Sequence, residues 1–181
     1  EDDGELFHPT RSARSKTYRY TLSTGPRHDP TQYQRVWHVG DAPSVPTWSE
    51  NVNRVCQCLQ GRHDFGAFRG APRGAEQKRK QALQDTHCHV MNIAMHQESQ
   101  WHDTTTYTIQ VTGDRFLYKM VRFLVGAIVA VGKERLQMED LEQILATGVR
   151  NGNEFECAPA HGLVLYQVHY DIPIDWESAA T

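Results

Sequence analysis

The most apolar stretch of the sequence is FLYKMVRFLVGAIVAV, residues 116–131. A helix of these residues carries apolar side chains on nearly every side, which is typical of a buried helix. Gly132 follows and predicts its end. The longest uninterrupted apolar run, Phe123–Val131, is about half of what a membrane-spanning helix needs. The 181-residue chain is therefore expected to be a globular domain around one buried helix, with no membrane partner.

Strand patterns lie on both sides of this helix. Thr17–Leu22 is rich in aromatic and β-branched residues and stops at a Gly-Pro turn. Leu83–Met95 and Thr104–Val111 predict an antiparallel hairpin because only a short polar linker separates them. Gly162–Tyr170 predicts a closing strand.

Further helices and loops complete the order of elements. The segment Trp48-Ser49-Glu50 is predicted to open a helix, with Ser49 as its N-cap. Another helix spans Met138–Ala146 and stops at Gly148. Residues 26–46 predict a loop with a short strand at Arg35–Val39, and residues 62–80 predict a loop. This order is not the alternation of a parallel sheet. It predicts an α+β fold, a mainly antiparallel sheet packed with helices.

Charge is unevenly distributed along the chain. The net charge is -3, but residues 6–138 carry 18 Lys and Arg against 10 Asp and Glu, a local charge of +8. Such asymmetry suggests a basic face directed at an anionic partner. A solvated surface with acidic ends explains the same distribution equally well.

Cysteines and histidines predict no metal site. The four cysteines form no C-x-x-C pair and are expected to be free thiols in a reducing, intracellular compartment. The densest group of metal-ligating residues is His87-Cys88-His89. In a strand, the two histidines share one face and Cys88 lies on the other, so the three do not converge.

Three segments combine residue types suited to chemistry. The first predicted strand carries Arg14, Lys16 and Arg19 around Tyr18 and Tyr20. Basic side chains beside aromatic rings are suited to binding RNA, because the basic side chains pair with phosphates and an unpaired nucleobase stacks on a ring. Packing of both tyrosines within the sheet is the alternative reading.

The second segment is the start of the apolar helix. Arg115, Lys119 and Arg122 stand at i, i+4 and i+7, which predicts one basic stripe. Arg122 has apolar neighbours, where an unpaired charge is costly, so it either has a partner or belongs to a site. A solvated helix face explains the stripe as well.

The third segment is the small-residue loop Ala158–Gly162, which allows close backbone approach or simply turns the chain. His63-Asp64 resembles half of a nucleophilic triad, but no serine or cysteine stands in a nucleophile-elbow context.

Taken in order, these segments resemble the TruA-like family of tRNA pseudouridine synthases. The similarity spans residues 13–171 and is most specific at Phe116–Gly126. It rests also on Lys16–Tyr20, on Gly61–Phe65 with Phe68, and on Ala158–Leu163 with Val168 and Tyr170.

The resemblance implies isomerisation of uridine within tRNA, without a cofactor. It assigns Tyr18 to stacking on the target base and to assisting proton removal at C5. Arg122 corresponds to the basic residue that pairs with the catalytic aspartate. Leu163 corresponds to an apolar strand position near the pocket for the uracil base. Arg14, Lys16, Arg19, Arg115 and Lys119 are the expected RNA contacts.

The family's catalytic aspartate lies in an Arg-Thr-Asp-x-Gly segment, which this sequence lacks. We therefore expect residues 13–172 to form the C-terminal catalytic subdomain, between tails at 1–12 and 173–181, inactive without the N-terminal half. Expected partners are tRNA, that N-terminal half and a second copy in a homodimer. Two alternatives are a non-catalytic RNA-binding α+β module and a small-molecule enzyme using His63-Asp64.

Overall fold

The structure is a computed structural model that describes residues 7–9, 11–151 and 154–171. These residues form six strands and four α-helices, with three short 3-10 helices between them. The strands are β1 (Ala13–Thr24), β2 (Trp37–His38), β3 (Gly61–Asp64), β4 (His87–Trp101), β5 (Thr104–Gly113) and β6 (Leu163–Tyr170). The helices are α1 (Val45–Leu59), α2 (Ala75–Ala82), α3 (Met120–Gly132) and α4 (Met138–Thr147). The predicted tail 173–181 and most of the predicted tail 1–12 fall outside the described residues.

All six strands belong to one sheet. Its order is β2-β1-β5-β4-β3, and β6 pairs with β1. The hydrogen-bonded pairs are antiparallel except for β1 with the two-residue strand β2. The predicted α+β fold with a mainly antiparallel sheet is confirmed, and so is the β4–β5 hairpin.

The core lies between one face of the sheet and helices α1 and α3. Tyr20 and Leu22 of β1 are completely buried there, together with Ile109 of β5 and Leu124 of α3. Because side chains alternate along a strand, Tyr18 shares this face while Arg19 lies on the opposite face. None of the helices in the described part of the chain is both long and apolar enough to cross a bilayer. The four cysteines are free, as predicted.

Helix α1 begins before the predicted start. Its N-cap is Ser44, and the Trp48 N–H already donates to the Ser44 carbonyl over 2.9 Å. The prediction of Ser49 as N-cap is wrong because Pro46 fits the first helical turn, where its missing N–H is not needed.

The predicted loop 62–80 contains regular structure. Strand β3 pairs with β4, placing Arg62 opposite His89, and helix α2 follows. The Gln81 amide donates to the Gly70 carbonyl and closes this segment on itself. Leu83, the predicted start of the next strand, instead follows α2 and is 90% exposed. Local sequence misses β3 because its partner strand lies more than 20 residues further along the chain.

Helix α3 begins at Met120 rather than at Phe116. Lys119 has a φ of 61°, the left-handed conformation, so the helix does not extend back through it. Its predicted end near Gly132 is confirmed. Helix α4 also stops as predicted, at Gly148, whose N–H donates to the Ile144 carbonyl at a φ of 64°.

Candidate active site

A backbone segment crosses the first turns of α3 and joins them to the sheet. We call this segment, residues 156–162, the strap. Arg122 Nε donates to the Ala158 carbonyl (2.5 Å), and the Ala158 N–H donates to the Arg122 carbonyl (3.2 Å). One turn later, a Cβ on Gly126 would lie 1.8 Å from the Glu156 carbonyl oxygen. Glycine at 126 therefore allows the strap to lie directly on the helix.

Tyr20 fixes the other end of the strap. Its hydroxyl donates to the Pro159 carbonyl over 2.8 Å. Burial raises the pKa of Tyr20, and this outweighs the nearby Arg122 charge, which lowers it. The hydroxyl therefore remains a protonated donor at neutral pH. Arg122, Tyr20 and the strap thus form one connected group.

Tyr18 and Leu163 lie beside this group on the same face of the sheet. Leu163 pairs with Tyr20 across β6 and β1, and both Tyr18 and Leu163 are half-buried. The Tyr18 ring meets Phe116 edge-on, with centroids 5.1 Å apart. Burial raises the pKa of Tyr18, so its hydroxyl is neutral at physiological pH. Tyr18 and Leu163 thus flank Tyr20, which the strap connects to Arg122.

The Arg122 guanidinium is half-buried, and its charge is not balanced by the described residues. In that part of the chain its side chain has one acceptor, the Ala158 carbonyl, and no carboxylate lies within ion-pair distance. A carbonyl satisfies an N–H but does not neutralise the charge. The two terminal nitrogens are thus suited to bind an anion, most strongly a carboxylate in a paired geometry.

Of the basic residues of β1, Lys16 shares the face of Tyr18, whereas Arg14 and Arg19 are bound elsewhere. Arg14 forms an ion pair with Asp171 at the start of the strand, and Lys16 is half-buried. Arg19 lies on the opposite face of the sheet, where it donates to Gln110 (3.1 Å) and stacks 3.4 Å above the Tyr166 ring. An RNA contact by Arg19 would therefore belong to a different surface from Tyr18.

The predicted basic stripe on α3 is wrong, since two of its members precede the helix. Arg115 is held at the start of β4, where it pairs with Asp85 (2.9 Å) and donates to the His87 carbonyl. Lys119 is the left-handed residue before α3 and extends over the Tyr118 ring, 5.4 Å away. Helical spacing does not apply to residues that are not helical, so Arg122 stands alone.

His63 and Asp64 do not form a catalytic pair. The His63 ring bonds to the Gln60 carbonyl (3.0 Å), whereas Asp64 accepts from the Gly66 N–H (2.8 Å). Within the described ranges, no cluster of three or more His, Cys, Asp or Glu side chains is arranged to hold a metal ion.

Sequence analysis missed Arg150, which packs against Phe123 of α3 and against Phe155, the residue before the strap. Its guanidinium lies 3.9 Å from the Phe123 ring centroid and 5.2 Å from that of Phe155. Burial lowers the pKa of Arg150, and its buried Nη1 has no hydrogen-bond partner in the described part of the protein. The available signal was its isolation, because it is the only Lys or Arg in residues 139–181.

Comparison with known proteins shows the family of the chain. A sequence model of the family described as tRNA pseudouridine synthase matches residues 55–171, more than half of the chain. The chain belongs to this family. The matched range contains Arg122, the strap and Leu163 of the tRNA pseudouridine synthase fold, whereas β1 with Tyr18 precedes it.

Curated relatives agree with this assignment. The chain is 29% identical to tRNA pseudouridine synthase A of Clostridium botulinum (strain Eklund 17B / Type B), covering 91% of this chain and 60% of that protein. It is 34% identical to tRNA pseudouridine synthase A of Methylacidiphilum infernorum, with 92% and 58% covered. For tRNA pseudouridine synthase A 2 of Clostridium perfringens, identity is 30%, with 94% and 62% covered. The chain therefore spans about 60% of the length of these relatives.

Proposed function

We propose that this chain is the C-terminal catalytic part of an enzyme that isomerises uridine to pseudouridine in tRNA. Family membership supports the reaction class. The observation that carries the assignment to this site is the strap, which brings an unneutralised Arg122 next to Tyr20 and close to Tyr18 and Leu163. A cation, aromatic hydroxyls and an apolar wall on one face fit a site that holds a detached base.

The proposed reaction is an isomerisation, so it needs no cofactor. The bond from N1 of uracil to the ribose breaks, the base turns, and a bond from C5 to the ribose forms. C5 loses one proton and N1 gains one, so the product is an isomer of the substrate. The site must retain the free base during its rotation, for which a stacking ring and an apolar contact are suited.

We assign two tasks to Tyr18. Its ring stacks on the base, and its hydroxyl assists proton removal at C5. Because burial raises its pKa, Tyr18 acts at neutral pH as a hydrogen-bonding group that relays a proton rather than as a phenolate. Leu163 supplies the apolar wall.

We assign the nucleophile to a segment outside this chain. The sequence contains no Arg-Thr-Asp, and the relatives it matches are longer. An incoming aspartate would find the Arg122 terminal nitrogens in position for a paired, charge-assisted contact. Arg122 would then orient that carboxylate and keep it ionised.

Strand β6 is the surface to which we assign the docking of the N-terminal half. In the described part of the chain this strand pairs only with β1, and Val164, Leu165 and Tyr166 are 57%, 49% and 51% exposed. A long apolar edge strand with unpaired backbone groups recruits another strand. We propose that the N-terminal half extends the sheet here. A homodimer of the parent enzyme is a further proposal, which sedimentation of the longer protein tests.

The central experiment measures pseudouridine in unmodified tRNA. The 181-residue chain alone is expected to form none, and a longer protein bearing an Arg-Thr-Asp-x-Gly segment is expected to form it at a defined position. In that protein, Arg122→Gln should lower turnover about 100-fold or more, as for loss of other preorganised charge contacts. Arg54→Gln, an exposed arginine of α1, is the matched control and should leave turnover unchanged. Pseudouridine made by the chain alone would refute the placement of the nucleophile.

Tyr18 variants separate stacking from chemistry. Tyr18→Phe keeps the ring and should reduce turnover while leaving tRNA affinity nearly unchanged. Tyr18→Ala should weaken both, with stacking worth about 1–3 kcal/mol per base. If Tyr18→Phe turns over at the parent rate, the hydroxyl has no chemical role and Tyr18 acts by stacking alone.

A non-catalytic RNA-binding module is the second candidate. This candidate is favoured by the local charge of +8 in residues 6–138 and by the exposed basic residues of α2, Lys78, Arg79 and Lys80. Tight tRNA binding by the longer protein with no pseudouridine formed decides for this candidate.

A further inference from the structure

A second concave site lies on β2 and the loop before it, against the end of the strap. Its volume is about 440 Å³, within the usual range for pockets that bind small ligands. It is lined mainly by His28, Tyr33, Gln34, Trp37, His38 and His161. We call it the histidine pocket.

The rings of this pocket offer stacking surfaces. His28 contacts Tyr33 and His38, with centroid distances of 6.5 and 5.3 Å and steeply inclined planes. Tyr33 is 69% exposed, unusually open for a tyrosine beside a cavity. Exposed aromatic and imidazole rings are the surfaces on which proteins stack unpaired RNA bases.

The pocket also offers hydrogen-bonding groups that make no bond within the described residues. Ser23 bonds to Nδ1 of His38 over 3.1 Å, which orients that ring and leaves its Nε2 without a partner in the described residues. The same part of the chain provides no hydrogen-bond partner for the His28 and His161 rings or the Gln34 amide. Imidazole and amide groups donate and accept, so they match the mixed edge of a nucleobase.

Gln34 occupies a strained backbone position at this site. Its φ is 59°, in the left-handed region where glycine and asparagine are far easier to accommodate. Strain of this kind is found where a side chain is needed at a fixed place. The position carries an amide although a glycine would fold there more easily.

The histidine pocket is joined to the candidate active site through Tyr20. The Trp37 ring lies edge-on to the Tyr20 ring, 6.2 Å away, and Tyr20 holds the strap by its bond to Pro159. His161 belongs to the strap itself. Arg27 and Arg35, both exposed, flank the pocket in sequence and supply positive charge for a nucleic-acid backbone.

We propose that the histidine pocket binds an unpaired base of the same RNA whose uridine is isomerised. This inference rests on the proposed function. One strand of RNA would then contact both sides of the strap, with its target base against Tyr18 and a neighbouring base against Tyr33 and His28. A base held there selects RNA whose neighbouring nucleotide is free to leave its stack.

A nucleotide titration tests the pocket directly. The histidine ring signals of the 181-residue chain are followed by NMR during addition of UMP, CMP, AMP or GMP. Signals of His28, His38 and His161 should shift together and saturate for at least one nucleotide. His102, whose ring meets Trp101 edge-on at the β4–β5 turn, is the internal control and should not shift. Unchanged signals of the three pocket histidines at millimolar concentrations of all four nucleotides would overturn the proposal.

RNA affinity supplies the second arm. Tyr33→Ala should weaken binding of a single-stranded oligonucleotide by about tenfold, the usual consequence of losing one stacked base. Trp101→Ala, at an aromatic residue 52% exposed, is the matched control and should bind as the parent does. Gln34→Gly should keep the melting temperature, since it relieves the strained φ, yet weaken binding. Equal affinity of the Tyr33 and Trp101 variants would refute the pocket.

The two proposals fail separately. The titration requires no catalysis, so nucleotide binding without pseudouridine formation by the longer protein would overturn the proposed function alone. Pseudouridine formation with unchanged affinity and turnover in the Tyr33 and Gln34 variants would overturn the pocket alone.

Discussion

Gly126→Ala tests whether the strap determines the stability of the site. A Cβ at this position would lie 1.8 Å from the Glu156 carbonyl oxygen and 3.0 Å from its carbon. Both atoms are backbone, so no rotamer change relieves the overlap. The strap must move away from α3, and this breaks the bonds between Arg122 and Ala158.

Three contributions determine the change in the free energy of unfolding in Gly126→Ala. Overpacking of a core costs about 1–3 kcal/mol. Loss of a hydrogen bond from a charged donor, here Arg122, adds about 1.5–3 kcal/mol. Alanine is favoured over glycine within a helix by about 1 kcal/mol, which opposes both. The free energy of unfolding should therefore fall by about 1.5–5 kcal/mol, and the melting temperature by about 3–20 °C.

Urea denaturation followed by circular dichroism measures the free energy of unfolding. Ala127→Gly is the matched control, because it lowers helix propensity at the next buried position without touching the strap. Hydrogen exchange of the Ala158 amide, which donates to Arg122, should accelerate in Gly126→Ala beyond the change in global stability. A Gly126→Ala variant as stable as the parent, or more stable, would refute the close contact.

Three further outcomes are expected. Tyr20→Phe removes the hydroxyl that donates to Pro159 and should lower the free energy of unfolding by about 1–2 kcal/mol. Tyr166→Phe, at an exposed ring, is the control. Equal losses of stability in the two variants would contradict a role for the hydrogen bond between Tyr20 and Pro159. Burial, helped by the nearby His28 charge, lowers the pKa of His38 below 6.5, so the unfolded chain takes up a proton first as the pH falls. His38 should thus stabilise the fold above pH 6.5, and this contribution should be lost below it. The decrease in the free energy of unfolding between about pH 7.5 and about pH 5.5 should be smaller in His38→Gln than in the parent. RNA affinity of the chain should fall with salt with a log–log slope of about 0.9 per phosphate contact, and a flat profile would exclude the basic residues of 6–138 as the binding surface.

Local sequence patterns were sufficient for much of the fold. Alternation in Thr17–Leu22 placed Tyr18 and Tyr20 on one face and Arg19 on the other, because side chains alternate along any strand. The apolar stretch Phe123–Val131 and the stop at Gly148 were readable because burial and helix termination depend on neighbouring residues. The ordered motifs also led to the family that the comparisons establish.

Tertiary structure alone decided what meets at the site. Sequence spacing placed Arg115, Lys119 and Arg122 on one stripe of a helix. Because Lys119 has a left-handed backbone and Arg115 is paired with Asp85, the three basic side chains do not form that stripe. The Gly126 requirement arises from Glu156, a residue 30 positions later that no local window includes. The histidine pocket likewise joins His28 and His38 to His161. Periodicity shows which side of an element is buried, whereas a site is made by long-range contacts, and these are fixed only when the chain packs.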